Sequence, residues 1–160
     1  VEIDNNSHWK KKHLSSIKNN YLKSCNYNFF TKYINPVFNK KNKYISDFNI
    51  ELIKVIVNKF FKKDVKFVRQ KNIQTKQKST DLIIEICKKL QATHYISGLG
   101  GKNYLDIDKF ANNGIGIEFI ENTLPNKYSQ QYQKIGFIPD ISALDFILNV
   151  DTNYTTYINI

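Results

Sequence analysis

The sequence predicts an α/β protein: a mostly parallel sheet with flanking helices, Rossmann-like, joined to a helical N-terminal part. Three observations lead there. Residues 1–62 carry apolar side chains at helical spacing. The middle of the chain then alternates short β-branched stretches with helical patterns, the order a parallel sheet with crossover helices requires. Three of the six glycines fall within four positions, directly after one of those stretches, and an α/β sheet usually holds its ligand at that end of its strands. With 160 residues, 41 % hydrophobic and 14 % aromatic, the chain suits a single domain over 1–150. That domain has a helical portion, 1–62, and a sheet-containing portion, 63–150. Residues 151–160 form a tail with no obvious partner.

The first helix is predicted from Ser7, a suitable N-cap, to Lys23. Trp9, His13, Ile17 and Tyr21 recur every four residues and share a face, with Leu14 beside them. The aromatic stretch "NYNFFTKYINPVFNK" contains Pro36, which breaks or starts a helix, so a short helix or turn lies on each side. Its Phe29, Phe30, Tyr33 and Phe38 read as core. After a linker, Phe48, Leu52, Val55 and Ile56 mark a helix over about 47–61. "VKFVR" alternates and is read as a strand. A polar, basic loop over 70–78 leads into a helix from Ser79 to Leu90. "THYIS" is strand-like. "DIDKFANNG" reads as a short helix with Asp106 as N-cap and Gly114 as its stop. "IGIEFIE" is a further strand. "GFIPDISALDFILN" gives a turn and a last helix, capped by Ser142 with Asp145 three residues on.

Charge and cysteines narrow the class. The net charge is +10, a surface that attracts nucleic acid, anionic membrane or phosphorylated small molecules. Lysine supplies nearly all of it, and Arg69 is the sole arginine. Readers of nucleic acid usually also use arginine for bidentate contacts. No apolar stretch approaches the roughly 20 residues of a membrane span. Cys25 and Cys87 lie far apart without partners at metal-ligand spacing, so neither a zinc site nor a disulfide framework is expected. A reduced, cytoplasmic protein is the simplest reading.

The glycine stretch, "SGLGGKN", carries the chemistry. The backbone at Gly98, Gly100 and Gly101 lets an anion approach main-chain amides, Lys102 adds a point charge, and Ser97 adds a hydroxyl. The standard phosphate motifs do not fit. A P-loop needs an upstream glycine and a hydroxyl after the lysine, where Asn103 stands, and the third glycine comes too soon for the dinucleotide fingerprint. The competing reading is a tight strand-to-helix connection with glycines at positive φ.

Together "VEIDNNSHWKKKHLSSIKNNY", "FNIELIKVIVNKF", "KFVR", "LIIEICKKLQATHYISGLGGKNYLD", "GIGIEFIE" and "FIPDISALDFILN" resemble the WbqC-like family, in the family's order and over nearly the whole chain. The strongest element is "THYISGLGGKNYLD". Members generally begin with a segment like His-Gln-Pro-x-Tyr-x-Pro-Trp, absent here, so a first strand and part of the site are expected to lie upstream. The resemblance implies surface-polysaccharide biosynthesis and a transferase, of glycine type among others, acting on amino sugars. The partners are then a nucleotide-linked amino sugar and an activated acyl or aminoacyl donor. Activation is open among ATP, an acyl carrier protein and charged tRNA; ATP with Mg2+ is the candidate cofactor, and no metal site is visible. In this reading Ser97, Gly98, Gly100, Gly101 and Lys102 hold the diphosphate. Arg69, ending a neighbouring strand, holds a second anion, and Tyr104 and Asp106 orient the sugar. Glu118 is the candidate base if it faces the cleft. His94 is either a base or a packed histidine. The competing function is a non-catalytic module for RNA or another polyanion, resting on the charge and on loop 70–78.

Overall fold

The computed structural model describes residues 1–120, 127–150 and 154. Its helices are α1 (Trp9–Tyr21), α2 (Tyr27–Phe29), α3 (Asn35–Asn39), α4 (Ile45–Val55), α5 (Ser79–Lys89), α6 (Ile107–Asn112) and α7 (Ala143–Asn149); its strands are β1 (His94–Gly98) and β2 (Gly116–Ile120). The chain divides into two compact units, residues 1–65 with 124–160, and residues 66–123.

The first unit is built of helices around aromatic rings. α1 turns Trp9, Leu14, Ile17 and Tyr21 onto the core, the face marked by the four-residue recurrence. It starts two residues later than expected. His8 takes the cap position, and the Ser7 hydroxyl donates to the Asp4 carbonyl at 3.0 Å instead of capping. A π-helical turn over Phe30–Ile34 joins α2 to α3. Pro36 sits in the first turn of α3, directly after that π-helical turn. The wider turn ahead of it absorbs the break, so the run stays helical. Phe29, Phe30 and Phe38 are buried with Tyr33 packed against them, as core side chains should be.

α4 also ends in a π-helical turn, Ile56–Phe60. The Phe60 ring meets Phe29 at 5.5 Å and Phe146 at 6.2 Å between centroids. α7 is buried from Asp145 to Asn149, which explains its nearly unbroken apolar sequence: a helix inside a core has no solvent face to make polar. The Asn26 backbone N–H and side-chain amide donate to the carbonyls of Leu148 and Ile147 at 3.0 and 2.9 Å. Ser142 caps α7 as expected, accepting from the Asp145 N–H at 3.1 Å. Of the tail, 151–153 and 155–160 lie outside the described residues. The Tyr154 hydroxyl donates to the Phe61 carbonyl at 2.9 Å.

The second unit holds the sheet. β1 and β2 pair in parallel, His94 opposite Gly116 through Gly98 opposite Ile120. The connection between them carries α6, as a parallel crossover requires. Ile84, Cys87, Leu105, Phe110 and Ile115 form the core beneath, with Tyr95, Ile117 and Phe119 packed on it. Burial raises the Cys87 thiol above its ordinary pKa. α6 begins as predicted: Asp106 accepts from the Lys109 N–H at 3.1 Å. Gly114 follows at φ +69°, the left-handed conformation that ends a helix at little cost to glycine.

One predicted strand is absent. Residues 65–69 pair with no strand, although Arg69 has extended backbone at φ −89°, ψ 135°. Alternation encodes an extended chain, but a ladder also needs a free edge beside it. Among the described residues the sheet has two strands. The fold is therefore α/β with a small parallel sheet, and among the described residues no further strand extends it to a Rossmann-like one. No described helix is long and apolar enough to cross a membrane.

Candidate functional site

Successive side chains of a strand point to opposite faces, and this sorts the candidate residues. Ser97 and its register partner Phe119 lie on the face toward the helices: Ser97 is buried and Phe119 packs on the core. His94, Ile96 and Gly98 lie on the other face with Gly116, Glu118 and Ile120. That face is open within its unit, with Ile96 59 % and Ile120 48 % exposed. Glu118 stands opposite Ile96 and is exposed. His94 lies two residues back along β1 from Ile96, about 7 Å of strand rise. Its ring occupies the space beside Gly116: a Cβ there would stand 2.5 Å from His94 Cδ2. Thr93 Oγ1 lies 3.0 Å from His94 Nδ1.

The glycine bend follows β1 as a 3-10 turn over Leu99–Asn103. Its glycines do not serve one purpose. Gly98 has φ −69°, and the positive-φ glycines are Gly114 and Gly136, so the left-handed turn expected of a plain connection is not what this bend uses. Gly101 is needed for closeness. A side chain there would overlap Ser97 Oγ and lie 3.0 Å from Leu105 Cδ1 and 3.1 Å from Phe119 Cε1. Gly98 and Gly100 differ, since nothing lies within 4 Å of where their Cβ would be. Their main chain is bare on that side.

Around the bend, Ser97 Oγ donates to the Gly98 carbonyl at 3.1 Å. The Lys102 ammonium lies 5.7 Å from the Phe119 ring centroid, within cation–π range. Tyr104 is 65 % exposed. The Asp106 carboxylate is engaged as the α6 cap, and its N–H donates to Thr80 Oγ1 at 3.2 Å. Arg69 precedes a short 3-10 turn, Gln70–Asn72, so the strand that was to aim it at the bend is missing. The structure thus gathers Ser97, Gly98, Gly100, Gly101 and Lys102, places His94 and Glu118 on the outer sheet face shared with Gly98, and gives Arg69 no register toward them.

Sequence reasoning passed over a second polar centre, in the first unit. Asp145 is 3 % exposed. Its Oδ2 accepts from the Tyr128 hydroxyl at 2.7 Å and from Gln130 Nε2 at 2.9 Å, and its Oδ1 accepts from Asn149 Nδ2 at 3.0 Å. Burial and the neighbouring Asp145 carboxylate push the Tyr21 phenol up to about 12. The same two causes raise Tyr128 further. The signal was a lone carboxylate inside the apolar run "ALDFILN". It was read as part of the helix cap, a role Ser142 fills with its own hydroxyl.

Among the described residues no three His, Cys, Asp or Glu side chains gather to hold a metal ion. Neither the curated proteins nor the solved structures offered a match. The model of one family, the WbqC-like protein family, matches residues 1–157. With that match covering nearly every residue and the glycine bend within it, this chain belongs to the WbqC-like protein family.

Proposed function

We propose that the chain is an amide-forming transferase that moves an acyl or aminoacyl group, of glycine type, onto the amine of a nucleotide-linked amino sugar. Membership of the WbqC-like family supports an association with polysaccharide biosynthesis, which is where such a substrate is used. The observation that carries the reading is the outer face of the β1–β2 pair. Gly98, with open space where a side chain would stand, shares it with His94 and Glu118, and the bend continues into Gly100 and Lys102. The diphosphate lies against the exposed main chain of Gly98 and Gly100, and the exposed Lys102 side chain leaves the Phe119 ring to supply the counter-charge. The sugar amine then reaches across the sheet face toward Glu118. Its nitrogen bonds to the donor's carbonyl carbon, and the donor's leaving group departs with the electron pair of the broken bond. The amine proton passes to the Glu118 carboxylate, with His94 on the same face as the alternative acceptor. Tyr104 and Asp106, next along the chain, border the sugar.

Calorimetric titration with a nucleoside diphosphate amino sugar tests the site. Lys102→Ala and Gly100→Val should each weaken binding by about tenfold or more, about 1.4 kcal/mol, while the fold persists because Gly100 borders open space and the Lys102 side chain is exposed. Unchanged affinity in both variants would remove the bend from the site. A second reading, a polyanion-binding module, is favoured only by the +10 charge and by the exposed lysines of loop 70–78.

A further inference from the structure

Residues 5–46 hold nine lysines and no aspartate or glutamate. α1 lies inside that run. Lys11, Lys12 and Lys18 are exposed along it, and Lys23 is exposed just beyond its end. In the second unit Lys89 and Lys109 are matched by Glu85 and Asp81, but α1 carries no acid of its own.

Beside this basic face lies apolar surface that the fold leaves uncovered. Leu22, Tyr132, Ile135, Ile138 and Ile141 are all exposed, Ile135 by 69 %. Single exposed apolar residues are ordinary, but these are neighbours. Leu22 and Tyr132 line one hollow with Lys18 and Lys23. Tyr132 also lines the next, with Ile135, Ile138 and Ile141. Lys11 and Lys12 border a third hollow, which shares Asn19 and Asn20 with the first. A contiguous apolar patch with a polar rim marks an interaction surface.

The segment that presents the patch is held from below. Buried Gln130 accepts from the Ile138 N–H at 2.8 Å through Oε1. Its Nε2 donates to the Ile138 carbonyl at 2.8 Å and to Asp145 Oδ2 at 2.9 Å. Residues 131–137 are thereby closed into a loop at its base. At its side the Tyr132 hydroxyl donates to Asn20 Oδ1 of α1 at 3.1 Å. Tyr132 and Gly136 both have left-handed backbone, at φ 62° and 81°, and Ile135 stands between these two turns. A loop pinned in this way holds its apolar side chains outward instead of letting them collapse inward.

We infer that this face docks on a bilayer surface containing anionic phospholipid. The leucine and isoleucines enter the headgroup boundary, and the lysines reach the lipid phosphates on long stems. Tyr132 suits the same boundary, with an apolar ring and a polar tip. The choice of lysine favours lipid over a protein partner, because protein interfaces are enriched in arginine and depleted in lysine. Flexible point charges match a laterally fluid anionic surface, whereas the planar fork of arginine matches a fixed carboxylate. Nucleic acid would leave the isoleucines unused. Asp140 is the one exposed acid over 127–142, and Lys11, Lys12, Lys18, Lys23 and Lys134 outweigh it. Attachment of this kind lies on the membrane and needs no spanning helix. All of these residues belong to the first unit, so the face stands whether or not the glycine bend holds an anion.

Flotation of the full chain with two kinds of vesicle tests the face: phosphatidylcholine alone, and phosphatidylcholine mixed with phosphatidylglycerol in about equal parts. Each lysine near an anionic surface contributes about fivefold, so the mixed vesicles should bind at least about tenfold more tightly than the neutral ones. Lys18→Gln with Lys23→Gln should lower that affinity by at least about tenfold. Leu22→Ser with Ile135→Ser should lower it by about tenfold through lost insertion. All four positions are exposed, so the fold persists in both variants. Equal binding to the two kinds of vesicle, or to neither, overturns the proposal. Unchanged affinity in the leucine–isoleucine variant also overturns it, since charge alone would then hold the protein. If that variant instead halves the protein's mass in sedimentation, the face is a contact between copies. If the lysine variant loses a uridine homopolymer but no vesicle affinity, the face belongs to nucleic acid; either result ends the lipid assignment.

Discussion

Gly100 and Gly101 are neighbours in sequence and opposites in function. The space where Gly101 would carry a Cβ is filled on three sides, by Ser97 Oγ, Leu105 Cδ1 and Phe119 Cε1. The same space at Gly100 is empty. Gly101→Ala should therefore destabilise the protein by about 1–3 kcal/mol, the range for overpacking a filled site. Gly100→Ala should leave stability nearly unchanged or raise it slightly by restricting the unfolded chain. Denaturant midpoints for the two variants check this, and a reversed order would mean the bend is packed differently. The contrast also assigns work within the bend. Gly101 lets the turn seat against the sheet, whereas Gly98 and Gly100 have open space where a side chain would stand.

Asp106 poses the question of role at the scale of an element. It was proposed to orient a sugar, yet its carboxylate caps α6 by accepting from the Lys109 N–H. Asp106→Ala should cost about 1 kcal/mol through the lost cap. Asp106→Asn should restore most of that stability, since Asn caps as well as Asp. If Asp106→Asn regains stability but not sugar-nucleotide affinity, the carboxylate charge serves the ligand as well as the helix. This helix also illustrates which elements were legible in the sequence. α5, α6, β1 and β2 were, because their periodicity and end signals are local. The strand over 65–69 was not, because pairing depends on an edge far away in sequence. Pro36 was read as breaking or starting a helix, and it opens α3; the π-helical turn before it leaves no simple pattern of its own. The glycine bend was located correctly in sequence, but its open and packed glycines look alike as letters. Asp145 was legible only as an oddity: one carboxylate in an apolar run says that something polar is buried, not what surrounds it.

For the whole molecule, the +10 charge decides between the two functions only through its response to salt. Part of it is already engaged at the surface. Lys40, Lys43, Lys89 and Lys109 pair with Glu51, Glu2, Glu85 and Asp81. Glu85 also accepts from the N–H groups of Lys76 and Gln77 at 3.0 and 3.2 Å, tying the basic loop to α5. These hydrogen bonds, led by that of Lys89, hold the Glu85 carboxyl below its ordinary range. Lys71, Lys76 and Lys78 remain exposed on that loop, and they carry point charges without the planar fork that reads bases. A polyanion bound there would be held through phosphates and without sequence preference. With six to ten contacts, its affinity would fall by about 10³–10⁵ between 50 and 200 mM salt. Replacing the three lysines by glutamate would lower the salt slope by about one per lost contact. A diphosphate on the bend makes far fewer ionic contacts. Its affinity should fall only a few-fold over the same range, by the same counterion argument, and should ignore the loop substitutions. Parallel titrations with a uridine homopolymer and a nucleoside diphosphate amino sugar measure both slopes. If the sugar nucleotide follows the polymer's slope and is lost with the loop lysines, the polyanion module is the function and the bend is a structural turn.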